Sequence, residues 1–143
     1  MIKPVSDENK EEWAQLAAAL WPGLCASEAL QELADGKHRN EFLYYADGQP
    51  AAFMSLSLRH DYVEGAESSP VGYLEGIYVR PGHRRKGIAK ELVQFAKQWA
   101  RSRGCAELAS DCEIGNEASR AFHERTGFAE ANRIICFTMG LTS

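Results

Sequence analysis

At 143 residues, with 45% hydrophobic and 25% charged side chains, the chain has the length of one domain (1–143) and the balance of a soluble globular protein. A net charge of −4 argues against nucleic acid as the main partner. No apolar run approaches the ~20 residues of a membrane span and no apolar leader follows Met1, so no membrane role and a cytoplasmic setting are expected.

In chain order, residues 1–5 read as a short strand. Trp13, Leu16, Ala17 and Leu20 recur at helical spacing, which predicts a helix over 8–20 ended by Trp21-Pro22-Gly23. Ser27 is the expected cap of a second helix carrying Leu30 and Leu33, with Gly36 as its stop. Residues 42–45 and 51–58 are strands joined by the hairpin signal Asp47-Gly48-Gln49-Pro50. After a polar loop over 59–70, residues 71–79 form a long strand whose Gly76 suggests a bulge. A helix over 87–103 carries Ile88, Leu92, Phe95, Ala96 and Trp99 on one face. A strand over 105–110, a helix from Asn116 to about Arg125 and a closing strand over 134–139 complete a mixed α/β layer fold.

The four cysteines form no C-x-x-C pair, which leaves no zinc site and no disulfide framework. Cys105 and Cys136 lie in apolar, strand-like runs and are expected to pack as small hydrophobes.

Chemistry concentrates where the long strand meets the third helix, at Leu74-Glu75-Gly76-Ile77-Tyr78-Val79-Arg80-Pro81-Gly82-His83-Arg84-Arg85-Lys86-Gly87-Ile88-Ala89. The spacing Arg84-x-x-Gly87-x-Ala89 leaves unpaired backbone N–H groups at a helix N-terminus, where the helix dipole is positive. Small residues let a phosphate approach the main chain, and Arg84, Arg85 and Lys86 add charge for a polyphosphate. A Walker loop is excluded because no Ser or Thr follows Lys86, and a dinucleotide fingerprint because its glycines are absent.

This stretch resembles the diphosphate-binding turn of the GNAT N-acetyltransferases. A second segment, Asn116-x-x-Ser119-x-x-x-His123-x-x-x-Gly127-Phe128, is similar to the family's downstream helix, with His123 where many relatives carry a tyrosine. The resemblance implies a mostly antiparallel central sheet, two splayed parallel strands and helices on both faces. It implies acetyl-coenzyme A as cosubstrate, held along Ile77, Tyr78 and Val79, around Arg85, Lys86, Gly87, Ile88, Ala89 and Lys90, and by Asn116. It also implies the Val79 N–H as oxyanion donor, no covalent intermediate, no metal, and a homodimer with the C-terminal strands near its interface. His123 is open between a general acid and a packed helix residue.

The amine acceptor imposes its own demands. A lysine-like amine is neutral in only ~1 molecule in 2,500 at pH 7, so the site must bind a cation and then shed its proton, here through water. Glu75, expected to share a face with Val79 by the strand period, and Asp111, at the end of the neighbouring strand, are the candidate carboxylates. Leu20-Trp21-Pro22, residues 59–65, residues 68–76 and Ala109-Ser110-Asp111 resemble segments of bacterial aminoglycoside 6′-N-acetyltransferases. That resemblance makes Trp21, Tyr62, Glu75 and Asp111 substrate contacts. Asn132 stands where the group has a contacting acid, and Leu24 where it has a nearby histidine. Acetylation of another amine, such as a polyamine or a protein N-terminus, and a non-catalytic acyl-coenzyme A sensor are the competing readings.

Overall fold

A five-stranded sheet in the order β1-β2-β3-β4-β5 organises the chain, whose residues 1–36 and 40–142 are described by a computed structural model. The strands are β1 (Ile2–Pro4), β2 (Asn40–Ala46), β3 (Gln49–Arg59), β4 (Val71–Val79) and β5 (Leu108–Ser110). All neighbours are antiparallel except β4 and β5. The two-residue turn Asp47-Gly48 closes the β2–β3 hairpin with both residues at positive φ, 53° and 76°, the twist such a hairpin needs.

Helices cover both faces. Helices α1 (Lys10–Leu20) and α2 (Ala26–Ala34) bury Trp13, Leu16, Ala17 and Ala29 against Leu43 and Phe53. On the other face, α3 (Ile88–Ser102) places Ile88, Leu92, Ala96 and Trp99 over Met54, Leu56 and Leu74. Burying each large apolar side chain of that stripe contributes about 1.5–3 kcal/mol. Phe122 of α4 (Glu117–Arg125) and Phe128 beyond it pack on the same cluster. A buried carboxylate, Glu41, receives the Trp13 indole N–H at 2.9 Å and the Ser55 hydroxyl.

Three sequence expectations give way. The cap of α2 is Cys25, not Ser27: Glu28 of the first turn accepts the Cys25 N–H at 3.1 Å, which closes the turn two residues earlier. Strand β5 starts only at Leu108, because residues 103–107 turn out of α3 through Gly104, at φ +81°. The closing strand over 134–139 is absent: residues 129–142 run without regular structure, and Cys136 is exposed rather than packed. An apolar, β-prone segment becomes a strand only when another strand takes up its hydrogen bonds, and no described part of the chain does so. Cys105 is buried as expected, and burial pushes its thiol pKa up. Among the described residues no helix is long and apolar enough to cross a membrane, and no His/Cys/Asp/Glu group could hold a metal ion.

Candidate active site

Strand β4 leaves its parallel neighbour part-way along. The last β4–β5 pair is Leu74 with Ser110, so residues 75–79 present one edge without a sheet partner. The Arg80 N–H donates to the Ala51 carbonyl of β3 at 2.9 Å. Successive N–H groups of a strand face alternate edges, so those of Val79 and Ile77 face the open edge. Ser110 closes the top of this splay by donating to the Leu74 carbonyl at 3.1 Å.

Gly76 does mark a bulge, and the bulge corrects one expectation. Ser55 pairs with Gly76 and Leu56 with Leu74, which leaves Glu75 as the extra residue. The alternation of faces slips there. Ile77 and Val79 pack with Leu74 on the α3 side, while Glu75 reaches Ser57 and Arg59 on the side of α1. Glu75 and Val79 therefore do not share a face; the Val79 N–H lies in the sheet plane and is unaffected by the slip. A Cβ on Gly76 would lie 2.6 Å from the Trp21 ring, so the half-buried indole sits against bare backbone next to Glu75. Trp21 also meets Phe53 edge-on, with ring centroids 5.6 Å apart. Gly76→Ala is expected to lower the free energy of unfolding by about 1–3 kcal/mol in chemical denaturation, through overpacking against Trp21. Gly115→Ala, where nothing lies within 4 Å, is the control expected to change little.

Glu75 and Asp111 belong to one network. Arg59 donates to Glu75 from Nη2 at 2.9 and 3.0 Å and from Nε at 3.2 Å, and the Ser57 hydroxyl donates to the same carboxylate. The Arg59 guanidinium lies 3.5 Å above the Tyr73 ring centroid. The Tyr73 hydroxyl donates to Asp111. Burial opposes the charge on Arg59, but the Glu75 hydrogen bonds together with the negative charges of Glu75 and Asp111 and the Tyr73 hydroxyl outweigh it and raise its pKa. Burial, then the bond to Asp111, pushes the Tyr73 hydroxyl well above the ordinary phenol range. Tyr62 and Asn132 meet elsewhere, on Glu64, where both donate and hold that carboxyl below the usual range. Val63, in the same loop, packs on Val71 and Tyr73, which fixes this second group beside the first.

Arg59, Ser57 and Tyr73 are absent from the sequence reading of the site. Their signal was present: Ser55-Leu56-Ser57-Leu58-Arg59 alternates strictly, which puts Ser57 and Arg59 on the face opposite Leu56 and Leu58.

At the far end of the splay, a single 3-10 turn at Pro81–His83 leads into α3. Arg85 (φ +63°) and Gly87 (φ +82°) are left-handed, and Gly87 is the N-cap. The first α3 backbone bond runs from the Glu91 N–H to the Gly87 carbonyl, so the N–H groups of Ile88, Ala89 and Lys90 have no partner within the helix. Alternation of left- and right-handed residues before a helix turns such N–H groups inward as an anion-binding nest. Arg85, Lys86 and Lys90 stand exposed around it, and Arg84 instead turns back to the Val79 carbonyl at 2.8 Å.

Asn116 caps α4 by accepting the Ser119 N–H at 3.0 Å, which leaves its side-chain NH2 for another acceptor. His123 has both ring nitrogens engaged, Nδ1 with the Ser119 carbonyl at 2.7 Å and Nε2 with the Ser110 hydroxyl at 2.8 Å. Its ring is also edge-on to Phe122 and Phe128. That geometry fits the packed-residue reading, with His123 tying α4 to the end of β5.

Comparison with known proteins agrees with this layout. The model of the acetyltransferase (GNAT) family matches residues 9–128. An aminoglycoside N(6′)-acetyltransferase type 1 of Acinetobacter haemolyticus is 40% identical over 139 residues, 96% of each chain. The crystal structure of an aminoglycoside antibiotic 6′-N-acetyltransferase from the same organism superposes with a TM-score of 0.93, at 38% identity over 99% of each chain. A third similar protein, a 6′-N-acetyltransferase solved with the bisubstrate analogue CoA-S-monomethyl-acetylneamine, gives a TM-score of 0.89 at 37% identity, covering 98% of this chain and 97% of its own.

Proposed function

Because the chain belongs to the GNAT acetyltransferase family, we propose that it transfers the acetyl group of acetyl-coenzyme A directly to the 6′-amine of aminoglycoside antibiotics, a resistance reaction. One observation carries the reading: the open edge of β4 over 75–79 is flanked by an anion nest at one end and by the carboxylates Glu75 and Asp111 at the other. A phosphate-bearing acyl donor and a cationic acceptor are thereby matched to the two ends of one cleft.

Acetyl-coenzyme A supplies the thioester that the amine attacks. In this reading the N–H groups of Ile88, Ala89 and Lys90, with the charges of Arg85, Lys86 and Lys90 and the bare backbone of Gly87, hold the diphosphate. The edge groups of Ile77 and Val79, with Tyr78 between them, hold the pantetheine as an added strand, and the Asn116 amide completes its binding. Glu75 and Asp111 hold the ammonium end of the substrate, while Trp21, Tyr62 and Asn132 line its rings. A carboxylate binds the cation but also raises its pKa, so the proton leaves to water before attack. The Val79 N–H, aimed into the splay, donates to the oxyanion that develops on the thioester carbonyl. The cytoplasm is the compartment this chemistry requires.

We further propose a homodimer. Ile134, Ile135, Phe137, Met139 and Leu141 are 60–90% exposed, a run of apolar surface that a lone chain rarely leaves in water. A partner subunit covering this tail is the expected remedy. Sedimentation should give a dimer, and removal of residues 134–143 a monomer; a full-length monomer would refute the assignment.

The direct test is thiol release from acetyl-coenzyme A against kanamycin, tobramycin, a 6′-hydroxyl aminoglycoside, spermidine and a peptide mixture. Turnover of the 6′-amino drugs but not the 6′-hydroxyl analogue supports both activity and regiochemistry. Turnover of spermidine or peptides alone overturns the antibiotic reading and keeps the acetyltransferase.

A further inference from the structure

The Glu75 carboxylate already holds a cation. Arg59 and Ser57 place three contacts on Oε2 and one on Oε1, which leaves a single acceptor position, on Oε1. An ammonium that added there would meet the charge of the Arg59 guanidinium. We propose that Arg59 is a resident counter-cation that substrate displaces, so that the site selects acceptors with enough charge to win the exchange. The proposal rests on the reading of Glu75 and Asp111 as the cation-binding pair.

Three features fit displacement rather than a fixed clamp. The Arg59 side chain is 42% exposed, so its guanidinium has a short path to water. At this exposure water can rehydrate both ions as they part, which offsets part of the cost of breaking the bidentate contact. The Tyr73 ring under the guanidinium is a surface along which a planar cation can slide off Glu75 while keeping its stacking. Tyr73 in turn donates to Asp111, so one cation spans the approach to both carboxylates.

Exchange has a consequence for specificity. A single ammonium exchanges one cation for another and trades a bidentate contact for a point charge. A polyamine or amino sugar that reaches Glu75 and Asp111 together gains a second ion pair in the same event. Arg59 thus acts as a threshold against monoamines, and its removal should relax that threshold.

The experiment compares wild type with Arg59→Ala and Arg59→Gln. Steady-state kinetics use kanamycin and the monoamine glucosamine, and calorimetry measures kanamycin and spermine binding. In both variants the expected results are a roughly 3- to 10-fold lower KM for kanamycin, a proportionally larger gain in kcat/KM for glucosamine, and an unchanged KM for acetyl-coenzyme A. Kanamycin and spermine should both bind more tightly. If Arg59 instead holds Glu75 in position, KM for kanamycin rises or kcat falls, and the proposal is overturned. Equal or weaker polycation binding overturns it too. Wild type that turns over no amine sinks the functional reading, while the calorimetric comparison still decides for or against displacement. Arg59→Gln keeps the stem and a donor, so a loss seen only in Arg59→Ala marks a packing defect and counts against displacement.

Discussion

Glu75→Gln should lower kcat/KM for kanamycin about 10- to 150-fold, the range set by losing one hydrogen bond to a charged group, about 1.5–3 kcal/mol. The fold tolerates the change, because Ser57 and Arg59 can still donate to the remaining amide oxygen. The KM for acetyl-coenzyme A should stay within about twofold, since the side chain lies on the α1 side and the cofactor's expected track is the strand edge. The variant also leaves Arg59 charged beside a neutral partner, which repels a cationic acceptor. The loss should therefore fall mainly on KM at low salt and shrink as ionic strength rises. Equal kinetics for wild type and variant would remove Glu75 from the site.

Glu75 is legible in the sequence, yet the simple strand period puts it on the wrong face, and the reason is physical. Its position within Tyr73-Leu74-Glu75-Gly76-Ile77 made it an acid in a buried strand, and Gly76 signalled a bulge. A bulge inverts the period-two pattern beyond it, so the two inferences had to be combined to place Glu75 opposite Val79. The anion nest was readable because its determinants are local: a strand, a basic turn and a glycine at a helix cap within a few residues. The Arg59–Glu75–Tyr73–Asp111 network was not, because its members lie on two different strands, β3 and β4, and in the loop after β5. The tail over 134–139 reads as a strand for sound reasons of composition, and pairing is decided by whatever lies beside it.

Gly87 offers the sharpest separation of binding from folding. As the N-cap of α3 at φ +82°, with open space around a notional Cβ, it can accept Asn or Asp, the non-glycine residues best suited to the left-handed region and to capping. Both carry the same strain of an L side chain at positive φ, so both should lower the melting temperature modestly and to a similar extent. Both crowd the main-chain approach of a diphosphate, but only Asp sets a negative charge where the phosphates are expected. Gly87→Asn should raise the KM for acetyl-coenzyme A several-fold, and Gly87→Asp about 10- to 100-fold beyond that, the effect of one repulsive contact at a partly screened site. Because the nest is exposed, the Asn–Asp difference should narrow as salt is added. Equal defects in the two variants would mean that shape, not charge, governs this turn. Wild-type kinetics in both would move the diphosphate away from α3 altogether, and with it the alignment of the thioester against Val79.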